Sequence, residues 1–151
     1  MTPPDAGDVS LLRVLQFAIS PVVLISAVGL MLLTLTNRFG RAIDRSRELG
    51  RELDRVDPGL RGPYREQLLV MVRRARWLRL SISLTGASLL SSCLMIFLMF
   101  LKVIAGWPVE WAILGTFGLD ILALIGAIVY FLMELALALK ALEIEIGPYL
   151  A

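Results

Sequence analysis

Charge is distributed along this chain in blocks, and the blocks alternate with long apolar runs. Val14–Asn37 is 24 residues without a charge, Leu80–Leu101 is 22, and a third run from about Val109 to Met133 carries Asp120 in its interior. A bilayer core takes roughly 20 residues of helix. The pattern therefore predicts three transmembrane helices, over about residues 12–37, 80–101 and 109–133. Pro21 lies in the outer third of the first, where it is expected to bend the helix and free a carbonyl near Phe17. Gly106-Trp107-Pro108 predicts a tight connection between the second and third. Beyond the third span a helical extension over 134–146 is expected, stopped by Gly147-Pro148. Residues 1–10, with Pro3, Pro4, Asp5, Gly7 and Asp8, read as a short disordered tail, and 11–151 as a single helical membrane domain.

The segment between the first two spans, residues 38–79, has its own periodicity. Phe39, Ala42, Ser46, Leu49, Leu53 and Val56 are spaced 3, 4, 3, 4, 3. Tyr64, Leu68, Met71, Ala75 and Leu78 are spaced 4, 3, 4, 3, and the line continues to Ile82 and Thr85. Both are seams of the coiled-coil kind. Asp57-Pro58-Gly59 between them is turn chemistry, and Gly62-Pro63 suits a helix restart. The expectation is an all-α fold in which the first two membrane helices extend into an antiparallel helical hairpin. Leu68, Leu69, Val70, Met71 and Val72 are consecutive, so they cannot all face one partner helix. Leu68, Leu69, Met71 and Val72 are accordingly expected to make contacts between copies in a homo-oligomer, with the membrane interface as the other place for them.

Charge adds the orientation. Residues 38–79 hold 12 of the 15 basic residues and 6 of the 13 acidic ones, a net 12 − 6 = +6. Under the positive-inside rule this hairpin is cytoplasmic. The N-terminus and the Trp107 turn then lie outside and the C-terminus inside. Trp107 and Trp111 suit an aromatic belt. Pairs such as Asp44/Arg47 and Glu48/Arg51 predict a solvated face laced by weak ion pairs. Arg73, Arg74, Arg76 and Arg79 are candidates for anionic lipid headgroups, and an acidic protein partner further out is the alternative. Nucleic acid is not expected, since the acids halve the positive charge and no binding fold is recognisable.

Composition narrows the chemistry. With 58% hydrophobic residues the chain is too apolar for a water-soluble surface, and its mean hydropathy is +0.78. The chain has no histidine, which removes the commonest metal ligand and general base. Its one cysteine, Cys93, excludes an intrachain disulfide. No Gly-rich phosphate loop is present, and Ser20, Ser91 and Lys102 do not form a convincing dyad. Gly118-Leu119-Asp120 faintly resembles an intramembrane aspartyl protease, but such a site needs two opposed aspartates. No enzyme, metal or cofactor is expected.

The remaining candidates are polar groups within the spans. Counted from the outer ends at about 1.5 Å per residue, Ser26, Ser91 and Asp120 all fall near the midplane. An ionised Asp120 facing lipid costs about 2.5–3.5 kcal/mol, so it is expected to turn inward toward Ser88, Ser91, Ser92 or Ser26. Ser81, Thr85, Ser88 and Ser92 form a stripe at i, i+4, i+7, i+11, for which close helix packing is the plain explanation. Glu134 matches the depth of Arg38 and Arg79, and an inner-leaflet ion pair with one of them is expected. Asp120 and Glu134 are two heptads apart, so in an oligomer the same face permits acidic rings of the kind that line cation channels.

Ile19-Ser20-Pro21 leading to Thr36-Asn37-Arg38-Phe39-Gly40-Arg41-Ala42-Ile43-Asp44-Arg45, together with Tyr130-Phe131-Leu132-Met133-Glu134-Leu135-Ala136, resembles a family of small bacterial inner-membrane proteins. That family is catalogued as domain of unknown function 2721, and the likeness runs from about Leu11 to Glu145. It implies three spans and a cytoplasmic hairpin, and implies no activity. Two functions stand as expectations. The first is a structural or accessory homo-oligomer acting through its basic stalk. The second is a small ion channel or transporter with Asp120 and Glu134 on the path.

Overall fold

The computed structural model describes the backbone of residues 6–55 and 61–150, and the side chains of residues 19, 22–55, 61–62 and 64–139. Three α-helices follow one another: α1 over Ala6–Arg55, α2 over Arg61–Ala105 and α3 over Glu110–Leu150. Each contains a stretch long and apolar enough to cross a membrane. The turn at Asp57-Pro58-Gly59 and the start of the N-terminal tail lie outside the described residues. From Ala6 onward the expected tail is already helix. At the other end α3 passes through Gly147-Pro148, which were expected to stop it. A proline removes one backbone hydrogen bond and crowds the carbonyl four residues back, which can bend a last turn without ending it.

The α2–α3 connection is short, as expected, and Gly106 caps the end of α2. Gly106 takes φ 64°, a left-handed conformation that costs a side-chain-bearing residue energy. Its N–H donates to the Lys102 carbonyl at 3.1 Å, satisfying one of the last carbonyls of α2. Lys102 Nζ then pairs with Glu110 Oε1 at 2.9 Å across the turn. A cation in the last turn of α2 and an anion in the first turn of α3 both complement the helix dipoles. Trp107 and Trp111 beside this turn are exposed, as an aromatic belt requires.

The chain divides into two compact units, to each of which all three helices contribute. One comprises Met1–Met31 with Thr85–Leu124, the other Leu32–Leu84 with Ile125–Ala151. Among the described residues, the buried side chains of the first are Val28, Thr85, Ser88, Ser91, Ser92, Met95, Asp120 and Ala123. In the second they are Leu35, Ala42, Leu49, Leu78, Ser81, Ala127 and Glu134. Seven of these fifteen are polar or charged, while Leu30, Leu90 and Leu122 are about 70% exposed. A core richer in hydroxyls and acids than its surface inverts the soluble rule, and suits a chain whose outer solvent is hydrocarbon.

Periodicity sets which face is buried. On α1 the buried residues Val28, Leu35, Ala42 and Leu49 are seven apart, and Phe39, Ser46 and Leu53 flank them half-buried. On α2, Leu78, Ser81, Thr85, Ser88, Ser92 and Met95 alternate at 3 and 4. Small residues let the backbones close up. Ser81 Oγ donates to the Ala127 carbonyl at 2.7 Å, and a Cβ on Gly126 would meet Leu84 Cδ1 at 3.1 Å. In the first unit Ser91 Oγ donates to the Thr116 carbonyl at 2.8 Å. Of the run 68–72, Leu69 and Val72 are exposed, and Leu68, Val70 and Met71 are half-buried. The predicted pairs Asp44/Arg47 and Glu48/Arg51 do not form. Glu48 instead pairs with Arg45 at 2.6 Å, the neighbour one turn back on the same face.

Candidate functional site

Two buried carboxylates organise the polar interior, one in each unit. In the first unit Asp120, on α3, is 1% exposed. Its Oδ1 accepts from Ser88 Oγ and its Oδ2 from Ser92 Oγ, the latter at 2.5 Å. The two serines are four residues apart on α2, so their hydroxyls project side by side and match the two carboxylate oxygens. Ser91 is buried next to them but donates to the Thr116 carbonyl. Ser26 does not join this layer. It is exposed and its Oγ donates to the Val22 carbonyl of its own helix at 3.2 Å. Two residues before Val28, it is turned about 200° around α1 from the buried line, which puts it on the outer face.

In the second unit Glu134, on α3, is fully buried and accepts from two arginines. Arg38 Nη2 on α1 donates to Oε2 at 2.9 Å. Arg74 on α2 donates through Nε at 3.1 Å and Nη2 at 2.9 Å, both to Oε1. One carboxylate thus ties three helices. Charge-assisted bonds of this kind are roughly twice as strong as neutral ones. The Arg38 guanidinium also lies over the Phe131 ring, 5.4 Å from its centroid, and Phe131 is one turn before Glu134 on the same face. Arg74 Nη1 approaches Met71 Sδ at 3.7 Å.

The expected partner Arg38 is therefore present and the other, Arg79, is not. Arg79 is exposed, one residue past the buried Leu78 and so about 100° round the helix. Its place is taken by Arg74, which had been grouped with the candidate headgroup ligands Arg73, Arg76 and Arg79. Those three are exposed and make no ion pair among the described residues. A signal for Arg74 existed: Ser81 and Ser88 lie seven and fourteen residues beyond it, so the stripe extended by one heptad reaches Arg74.

Among the described residues no buried side-chain nitrogen or oxygen lacks a hydrogen-bond partner, and no three His, Cys, Asp or Glu side chains group as metal ligands. The arrangement is chemically a set of fasteners. Each carboxylate has both oxygens occupied by donors from the same chain, which fixes helix register and rotation.

Fold and site together define an all-α chain with three helices of membrane-crossing length, held by buried carboxylates. The chain belongs to the family described as "Protein of unknown function (DUF2721)", whose model matches residues 18–144. That match takes in both stretches that carried the resemblance, along with Asp120, Arg74 and Glu134. Comparison with curated proteins gives no match, and neither does comparison with solved structures.

Proposed function

We propose that this chain is a homo-oligomeric protein of the bacterial inner membrane with a structural or accessory role, exercised through a basic cytoplasmic stalk. The observation that carries this reading is that both interior carboxylates are consumed within their own chain. Asp120 is closed off by Ser88 and Ser92, and Glu134 by Arg38 and Arg74. Groups that line an ion path keep oxygens available to the permeating ion. These oxygens serve packing instead, which favours the accessory reading over the channel.

The remaining parts of the proposal rest on separate observations. Five residues join α1 to α2, and Arg38 and Arg74 meet on one carboxylate, which supports folding residues 38–79 back as an antiparallel hairpin. Its net charge of 12 − 6 = +6 supports a cytoplasmic location, with the N-terminus outside. Leu69 and Val72 stand exposed on a segment otherwise rich in arginine, which supports contact with a second copy there. The exposed arginines suit anionic lipid or an acidic protein partner.

Purification in mild detergent and reconstitution into liposomes test the reading together. Wild type is expected to run as an oligomer whose mass falls on Leu69→Lys. Ion flux through wild type and Asp120→Asn should both equal that of empty vesicles. A flux in wild type that Asp120→Asn abolishes would replace this reading with the channel. An oligomer mass indifferent to Leu69→Lys would remove that surface from the contact.

A further inference from the structure

The charged cluster around Glu134 opens onto a cavity that the two ion pairs do not fill. It measures about 300 Å³ and is lined by Arg38, Arg41, Ala42, Arg45, Met71 and Arg74. No carboxylate is among those residues. Among the described residues Glu134 is shared by Arg38 and Arg74, so one carboxylate there serves two guanidiniums, and Glu48 engages Arg45. Arg41 is exposed and makes no ion pair among the described residues.

The cavity has a cause in the sequence. The buried heptad line of α1 carries leucine at 35 and 49, and alanine at 42 between them. A leucine there would project three more carbons toward the facing helices, into the space where the arginines converge. Arg38, Arg41 and Arg45 follow one another at 3 and 4 along α1, so their side chains lie on the face that carries Ala42. Two of the four guanidiniums are also held in place. Glu134 fixes Arg38 and Arg74, and Phe131 supports the face of Arg38. Arg38 gives Glu134 one of its five N–H donors, which leaves several for another acceptor. Positioned donors with little rotamer freedom left to lose are what tight anion binding needs.

We propose that this cavity is an anion site that takes a tetrahedral phosphate group. A phosphate monoanion or diester presents oxygens in several directions, and planar N–H forks converging from α1 and α2 match them. Two sources share that chemistry. Arg38 directly follows the uncharged run 14–37 and Arg74 precedes the run 80–101, so the headgroup of an anionic phospholipid would arrive at this height in the membrane proposed above. Free phosphate, or a small soluble phosphate ester, would come from the aqueous side. Only the lipid source rests on the proposed membrane placement. The cavity is built from residues of a single unit and does not depend on it.

Binding to the full chain in neutral-detergent micelles tests the site, with two probes used separately: inorganic phosphate, and phosphatidylglycerol against a phosphatidylcholine control. Thermal stabilisation and native mass spectrometry supply the readouts. Wild type should bind at least one probe saturably. Arg41→Gln, at an exposed position, should weaken binding about 10-fold, the effect of one charge-assisted bond. Ala42→Leu should weaken it at least as much by filling the cavity with no change of charge, and Lys102→Gln, which removes one positive charge outside the cavity, should leave it unchanged. Phosphatidylglycerol bound in preference to both phosphatidylcholine and phosphate identifies the lipid source. Phosphate bound without lipid identifies the soluble one. The proposal is overturned if wild type binds neither probe, or if Arg41→Gln binds as wild type does. It is equally overturned if Lys102→Gln alone removes binding. Failure of the membrane placement would leave the phosphate arm of this experiment intact, so the two conclusions can fail separately.

Discussion

Replacing Glu134 with glutamine keeps the shape of the side chain and removes its charge, leaving Arg38 and Arg74 facing one another with no anion between them. Breaking a fully buried ion pair by removing one partner costs about 3–5 kcal/mol. Here the carboxylate is fully buried, but the arginine side chains are 25% and 20% exposed and can recover part of their solvation. Glutamine also retains one acceptor oxygen for the three N–H donors. Discounting for both, the expected loss is about 2–3 kcal/mol. On the scale for soluble chains of this length that lowers the melting temperature by roughly 5–10 °C. The assay is thermal melting in detergent of Glu134→Gln, Arg38→Gln, Arg74→Gln, Arg79→Gln and the doubles. Arg74, with two bonds to Oε1, should couple to Glu134 more strongly than Arg38, with its single bond to Oε2. Arg79 should not couple at all. A Glu134→Gln protein melting within about a degree of wild type, or coupling to Arg79 as large as that to Arg74, would refute the clasp.

Other perturbations probe the remaining features. Ser88→Ala with Ser92→Ala leaves the buried Asp120 without its two donors and should cost about 2–4 kcal/mol in the same melt, while adding Asp120→Leu should restore at least half of that. A triple variant no more stable than the double would show that the serines do not support the acid. Gly106→Ala forces a Cβ into φ 64° and should cost about 1–2 kcal/mol, with Gly106→Asn milder, and equal stability of all three would contradict the αL cap. For orientation, Cys93 is exposed and is first removed as Cys93→Ser. A single cysteine at Gly59 should then label with an impermeant maleimide only after the inner membrane is opened. Labelling in intact spheroplasts would reverse the topology.

The extent to which this arrangement was legible in the sequence differs from residue to residue. The inward turn of Asp120 toward Ser88 and Ser92 followed from cost, since a midplane carboxylate has to find donors and a hydroxyl stripe was the nearest supply. Glu134 with Arg38 followed from matched depth. Depth alone favours Arg79, which adjoins the run 80–101, over Arg74, which lies about 7.5 Å further from it along the helix. Helix rotation separates them, and the heptad that runs through Ser81 and Ser88 reaches Arg74. Ser26 illustrates the same point: counting along α1 does not give its azimuth, and it faces outward. The pairs Asp44/Arg47 and Glu48/Arg51 on α1 failed for a different reason. Several i, i+3 and i, i+4 partners are nearly equal in energy at an exposed surface, so spacing does not choose among them.

By itself the chain determined that it forms three helices, each holding a stretch long and apolar enough to cross a membrane. Apolar runs of fixed length and the requirement that backbone groups be satisfied within the helix leave no other solution in hydrocarbon. It also fixed the glycine turn at 106, because left-handed backbone conformation is a local property. Only the tertiary structure decided which arginine closes on Glu134, that a single carboxylate serves two of them, and that alanine at 42 opens a space among four guanidiniums. Those outcomes depend on how three helices are rotated about their own axes when packed. Rotation is set by the sum of many side-chain contacts, which no single stretch of sequence encodes.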